Sequence, residues 1–380
     1  MIYRCLALFG ILVLWSCNGS PTLPTDASEG VILLGSEAGE ILVLYPQAPR
    51  SGGQVDRIPI PRYVDGFALS SDRSTLYFTA FNQLPDRKLH ALDLRTLELV
   101  QSRSIAELLG TDQVQDIVDT GGEAIAPSHD GSTLFMAGWR SEQGELGIGL
   151  VDAETFQPKG FVGPLRVRRH GLATLPPTPE RPSGAVLALG RRPQSTQSTL
   201  SLFVIDPRTG AIVDSLAGAT ADTSAYQLVP AADGRSVYLN GTRTLARYDF
   251  EARMLREVVE LPTQGWLTLS RDGQELYRTD QKVNPTIPGT GKVFIFGPAL
   301  ERREPIDLSG HAQGGYPPVT LSAAASHDGK HLYVVTGTGS FGPAPPYQKG
   351  RLFVVRVADR HVVRVLELNS WNVGPPIVRP

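Results

Sequence analysis

The chain has 380 residues, of which 41% are hydrophobic but only 7% aromatic, and its 36 basic and 38 acidic side chains leave a net charge of −2. That balance excludes a generally basic, nucleic-acid-binding surface, and the length suffices for one large domain or several small ones. Glycine and proline together make up about 18% of the chain, against roughly 12% in average usage, which disfavours long helices yet stays below the level of a disordered chain.

Residues 1–16 read as an export signal. Arg4 supplies the positive start, and the eleven residues Cys5 to Trp15 form an apolar run. The run is too short to cross a bilayer, which takes about 20 helical residues. It ends in Leu14-Trp15-Ser16-Cys17, which resembles a bacterial lipobox and implies a lipidated Cys17 at the mature N-terminus, although Trp15 departs from the usual small or aliphatic choice. Cys5 and Cys17 are the two cysteines of the chain. The folded part is therefore expected to contain no disulfide, no cysteine metal site and no cysteine nucleophile. Residues 17–29, rich in Ser, Thr and Pro, are expected to form a flexible tether.

From residue 30 the chain turns to strands. Val31–Leu34, Glu40–Leu44 and Val55–Ile60 give three strand-like runs. A repeat follows, in which a short apolar run leads into Ser-x-Asp-Gly or a relative and then into an apolar-aromatic pair. Its copies are Ala68–Tyr77, Ala126–Phe135, a degenerate Pro182–Leu187, Ala231–Tyr238, Ser270–Tyr277 and Ser326–Tyr333, about 51 residues apart. Asp-Gly tolerates the positive φ of a tight hairpin turn, and the flanking alternation is that of strands. A second pattern, an apolar strand often closed by Asp, follows each copy: Leu89–Asp93, Ile148–Asp152, Leu202–Asp206, Leu245–Asp249, Val293–Phe296 and Leu352–Val355, with Ile41–Tyr45 as an earlier member.

Two hairpins per repeat make a four-stranded antiparallel sheet. Residues 30–380 at about 50 residues per sheet then predict an all-β, seven-bladed β-propeller. A pair of β-sandwiches or a β-solenoid would not give two alternating turn types. The first three strands lack an innermost partner. The tail Val373–Pro380, beyond the outer strand His361–Leu366, is expected to supply it, so that the C-terminal strand joins the N-terminal blade and closes the ring.

These motifs resemble those of the YVTN-type, lactonase-like seven-bladed propellers of bacterial envelopes, within the wider group that resembles the heavy chain of quinoprotein amine dehydrogenases. The likeness extends over the chain from Gly30 onward and rests on turns and strand cores, which specify a fold better than a function. In such propellers the Asp-Gly turns lie on the bottom and the connections between second and third strands on the top. Here those connections run from Thr79 to Lys88, Ala137 to Glu145, Leu189 to Thr199, Arg278 to Gly291 and Val335 to Gly350. They carry Trp139, Arg140, Arg191, Arg192, Lys282, Phe341, Tyr347 and Lys349 as binding candidates.

Seven residues before each turn Asp stand Asp65, Glu123, Tyr226, Gly265 and Leu321, with His170 at the matching level of the degenerate copy. Asp65, Glu123, His170 and Tyr226 are therefore candidates for a catalytic or cation-binding site at the channel mouth, against the plain alternative of a polar water-filled channel. Other signals fail on context. Gly337-Thr-Gly-Ser-Phe-Gly342 cannot open a helix before Pro343 and Pro345-Pro346. His327 and His331 flank a hairpin turn, and the Asn240-Gly-Thr242 sequon has little meaning in a bacterial lipoprotein.

The expected function is that of a membrane-tethered envelope lipoprotein, monomeric, exported and anchored on the periplasmic side or at the cell surface. It would bind an envelope protein, a glycan or a small ligand on its top face, with no nucleic acid and no evident cofactor beyond a cation in the channel. The alternative is a lactonase-like hydrolase using Asp65, Glu123 and His170. A redox scaffold finds no support, because no cysteine remains to attach a quinone or haem.

Overall fold

The computed structural model describes residues 32–36, 40–45, 54–60, 63–81, 87–109, 124–140, 145–192, 200–217, 225–281, 290–312, 317–337, 350–368 and 377–378. Cys17, its flanking segments and residues Glu123, Lys282, Phe341, Tyr347 and Lys349 lie outside them.

The chain folds into a β-propeller of four-stranded antiparallel blades. Six blades take four consecutive strands each. The first holds β4 (Tyr63–Leu69), β5 (Thr75–Phe81), β6 (Arg87–Asp93) and β7 (Leu99–Ser104), which runs into a short helix α1 (Ile105–Leu109). The next holds β8 (Ile125–Pro127), β9 (Thr133–Arg140), β10 (Leu146–Asp152) and β11 (Pro158–Val162). Then come β12 (Arg166–Leu175), β13 (Ala185–Arg191), β14 (Ser201–Ile205) and β15 (Ile212–Ala217). They are followed by β16 (Gln227–Pro230), β17 (Ser236–Asn240), β18 (Thr244–Asp249) and β19 (Met254–Glu260). The fifth holds β20 (Leu267–Leu269), β21 (Leu276–Thr279), β22 (Lys292–Phe296) and β23 (Arg302–Asp307). The sixth holds β24 (Val319–Ala325), β25 (His331–Gly337), β26 (Gly350–Arg356) and β27 (His361–Leu368). A further four-stranded sheet is composite. There β1 (Ile32–Ser36), β2 (Glu40–Tyr45) and β3 (Gln54–Pro59) are joined by β28 (Ile377–Val378), with Ile32 opposite Val378 and Leu33 opposite Ile377.

The second and third strands of the blades are mostly apolar because both of their faces are covered. Ala185–Gly190 of β13 and Leu352–Val355 of β26 are buried throughout, whereas the outer strands β19 and β27 alternate exposed positions with half-buried or, at the end of β27, buried ones. Hydrophobic clusters fill the space between neighbouring sheets. One joins Leu187, Leu189 and Leu202 to Leu239 and Tyr248, and another joins Tyr277 and Ile295 to Val334 and Phe353.

The turn chemistry recurs blade by blade. In the turn after β4 the Ser70 hydroxyl donates to Asp72 Oδ1 at 2.6 Å and accepts the Thr75 N–H at 2.9 Å, while the Ser74 N–H donates to Asp72 Oδ1 at 3.0 Å. Ser128 and Asp130, Ser270 and Asp272, and Ser326 and Asp328 repeat the arrangement. The residue after Asp holds a positive φ, taken by Gly131, Gly234, Gly273 and Gly329, and by Arg73 at φ 60° in the first of these turns. The Ser hydroxyl and backbone N–H bonds hold the Asp72 carboxyl down at about 2, and Asp130 and Asp272 are lowered for the same reason.

The second predicted turn is equally regular. Asp93, Asp152 and Asp206 each accept two backbone N–H groups through Oδ1, and Asp249 accepts that of Ala252.

Candidate functional site

At the end opposite the Asp-Gly turns the inner strands depart from regularity. Within β4, Val64 pairs with Ala80 and Gly66 with Thr79, so Asp65 is the extra residue of a β-bulge. In β24, Thr320 pairs with Thr336 and Ser322 with Val335, which leaves Leu321 in the same role. In β12 the pairing breaks between Val167 and Leu172, and the segment between them contains His170 at φ 52°. Three of the positions counted back from the turns therefore fall on or within bulges, a device that re-aims side chains.

His170 and Tyr226 can be followed further. The half-buried His170 ring meets Trp266 edge-on, at 5.0 Å and 82° between ring planes. His170 belongs to the β12–β15 blade and Trp266 precedes β20, so the contact reaches past the β16–β19 blade between them. Tyr226, at the start of that intervening blade, donates its hydroxyl to the Gly265 carbonyl and accepts the Gly265 N–H at 3.2 Å. Two positions of the predicted level are thus in direct contact across a blade boundary. Burial pushes the Tyr226 phenol up, so it stays a protonated donor.

Below this contact lies a buried polar network. Asn240, fully buried, donates through Nδ2 to Gly265 O at 2.7 Å and to Gln227 Oε1 at 2.9 Å. It accepts Arg278 Nε at 2.8 Å on Oδ1. Gln227 also exchanges hydrogen bonds with the backbone of Leu267, at 2.9 and 3.0 Å. Arg278 is fully buried, and its Nη2 donates to the carbonyls of Thr263 at 2.7 Å and Gly241 at 3.1 Å. Burial lowers its pKa, yet a guanidinium keeps its charge in a protein. Thr279 Oγ1 donates to Leu321 O at 3.1 Å, and Asp280 N–H donates to Thr320 Oγ1 at 2.7 Å, carrying the network on to the β24–β27 blade. A Cβ on Gly265 would stand 1.7 Å from Thr279 O, so the glycine is required by close backbone approach.

The remaining candidates are distributed otherwise. Trp139 and Arg140 lie in β9, paired with Gly147 and Leu146, and not in a loop as expected from the sequence. The strand extends because a bulge at Gly138, with φ 83°, lets pairing resume beyond it. Arg191 is likewise the exposed last residue of β13, opposite Arg166. Asp65 is placed by its backbone in β4. Among the described residues no group of three His, Cys, Asp or Glu side chains could hold a metal ion.

Sequence reasoning missed Trp266, Asn240, Arg278, Asp280 and Thr320. The signal was there for two of them: Arg278 and Asp280 interrupt a strand run that is apolar in other copies.

The fold places the chain among the β-propellers. No family model and no curated protein matches its sequence. Among solved structures it is similar to dihydro-heme d1 dehydrogenase NirN in complex with DHE, with a TM-score of 0.59 and 14% identity over 96% of this chain and 78% of that one. A functionally unknown protein from Desulfotomaculum acetoxidans gives a TM-score of 0.59 and 12% identity over 92% and 99%. The β-propeller domain of Cps50 (Swd1) from Myceliophteria thermophila gives 0.54 and 14% over 86% and 89%. At these identities the likeness is one of fold.

Proposed function

We propose that the protein is a non-catalytic propeller scaffold that binds its partner at the end where the inner strands begin, tethered to the envelope membrane through a lipidated Cys17. The observation that carries the binding face is the set of bulges at Asp65, Leu321 and around His170, combined with the His170–Trp266 contact that spans a whole blade. Irregular inner strands on a rigid polar underlay suit recognition better than a bare channel wall. The test is a thermal-shift screen of the full chain against glycans, lactones and small organic anions, repeated with His170→Ala and Trp266→Ala. A ligand that raises the melting temperature of the parent but of neither variant supports this face. Ligand shifts equal in all three overturn it, and turnover of any lactone overturns the non-catalytic reading. Lipidation predicts that labelled fatty acid enters the parent and not Cys17→Ser.

The same reading takes the composite sheet as a seventh blade that closes the ring. It is supported by apolar packing on both sides of that sheet, Leu44 against Tyr333, Val335 and Leu352, and Ile41 and Val43 against Phe78 and Leu92. Removing residues 373–380 should then lower the melting temperature sharply, and an unchanged value would refute closure.

A further inference from the structure

In each of the six blades built from consecutive strands, the turn between third and fourth strands ends on a residue of positive φ: Leu97, Phe156, Gly210, Arg253, Leu300 and Arg360. The first five close on the preceding sheet. Leu97 joins the cluster of Ile41 and Val43, the Phe156 ring lies 6.3 Å from that of Tyr77, and Leu300 packs with Tyr238. A Cβ on Gly210 would stand 3.0 Å from Leu150 Cδ2. Arg253 closes its junction by charge, its Nη1 and Nη2 donating to the two carboxylate oxygens of Asp214 on β15 at 2.8 and 2.9 Å.

Arg360 meets no such partner. Asp214 stands opposite Val204 in its ladder, and the matching place on the sheet before Arg360, opposite Ile295, is taken by Arg303. Arg303 is itself engaged with Glu275 at 3.1 Å and Glu301 at 3.0 Å. Among the described residues Arg360 makes no ion pair. The junction stays open as a cleft of about 850 Å³ between the β20–β23 and β24–β27 blades, within the size range of ligand pockets.

Both signs of charge line this cleft. Toward the hub stands Asp272, whose Oδ1 accepts the Ser270 hydroxyl at 2.7 Å and the Gln274 N–H at 3.0 Å, while its Oδ2 accepts no hydrogen bond among the described residues. Those bonds hold the Asp272 carboxyl low, so it is ionised at neutral pH. Toward the rim stands the half-buried Arg360. Glu275 has Arg303, Asp328 has Lys330 at 3.1 Å and Asp359 has Arg356 at 2.9 Å, while Arg271 and Glu304 add one charge of each sign. Such a balance disfavours a ligand of strong net charge and suits a neutral one whose charges are separated. Across a blade, the first and last turns lie two strand spacings apart, about 10 Å. Three extended residues reach about as far.

We propose that this cleft binds a short peptide with free termini, its ammonium at Asp272 and its carboxylate at Arg360. An arginine at this turn position already takes a carboxylate in a fork, at Arg253 and Asp214, and the same contact serves the C-terminus of the peptide. The ligand brings no net charge, and one of the carboxylates of the cleft receives its cation.

The test is calorimetric titration of the full-length protein with trialanine, N-acetyl-trialanine and trialanine amide at low ionic strength. Trialanine is expected to bind the parent, and blocking either end should weaken binding about tenfold or more. In Arg360→Gln the acid and the amide should bind alike, while acetylation still weakens binding. In Asp272→Asn, which keeps the Oδ1 acceptor of the turn, the free and acetylated peptides should bind alike, while amidation still weakens binding. Arg235→Gln, an exposed arginine on another blade, should preserve both differences. The proposal fails if trialanine does not bind the parent, if the blocked peptides bind as tightly as the free one, or if either difference survives both substitutions.

Discussion

The two ends of this propeller are built on different principles. At the turn end one solution recurs: in four of the inner hairpins a serine and an aspartate knot the turn with local hydrogen bonds. At the other end, Tyr226, Asn240, Gln227, Arg278 and Thr279 tie three blades together through side chains that reach into the next blade. Local, repeated bonds make blades, whereas unique bonds between blades make a particular surface. Damage to the two ends should therefore differ in size and in reach.

The largest effect is expected from Arg278→Ala. It strips Asn240 Oδ1 and the carbonyls of Thr263 and Gly241 of a buried donor, and should lower stability by about 3–5 kcal/mol in chemical denaturation. Hydrogen exchange should quicken on the blades of β16 and β20 together. Ser128→Ala removes a buried hydroxyl that serves both Asp130 and the Thr133 N–H, for a loss of about 1–3 kcal/mol. Its exchange signature should stay within the β8–β9 hairpin, and spread to other blades would break the contrast.

Acid sharpens the same distinction. The Asp72 carboxyl is held at about 2 in the fold against 3.8 when free. Its contribution is complete above the free value and lost as pH falls through the folded one, a window from about pH 4 to 2. Because the group is exposed, solvent screening reduces it to about 1 kcal/mol for this turn. Asp130 and Asp272 add in the same direction, so stability should decline across that window, and Asp72→Asn should remove part of the slope.

The smallest effect is a gain. The turn at Asp233 has Ala231 where those at Asp72, Asp130, Asp272 and Asp328 have serine, and Ala231→Ser should restore the missing pair of hydrogen bonds for up to about 1 kcal/mol. A loss of stability would show that the serine is not the source of the turn's strength.

This division also explains what was legible in the amino-acid sequence. The hairpins, the Asp-Gly turns and the blade spacing could be read because each depends on residues within a few positions of one another. The level of Asp65, Tyr226, Gly265 and Leu321 could be counted from the turns, since each inner strand starts a fixed number of residues before its Asp. The contacts between blades could not. Trp266 meeting His170 across 96 positions, or Arg278 meeting Asn240 across 38, depends on how the blades pack and leaves no periodic trace. Trp139 and Arg140 were misplaced into a loop because a single bulged glycine, Gly138, extends a strand past its usual end.

The Asp-Gly turns have a chemical consequence as well as a mechanical one. An Asp-Gly sequence is prone to ageing, through attack of the glycine nitrogen on the aspartate carboxyl to give a succinimide and then isoaspartate. Here that nitrogen is directed elsewhere: Gly131 N–H points to Ser128 O at 3.0 Å, while the Asp130 carboxylate is drawn to the Ser128 and Ser132 side chains. Each folded hairpin thus protects its own weakest peptide bond. Isoaspartate at Asp130, Asp272 or Asp328 would record which blades had opened during the lifetime of the molecule.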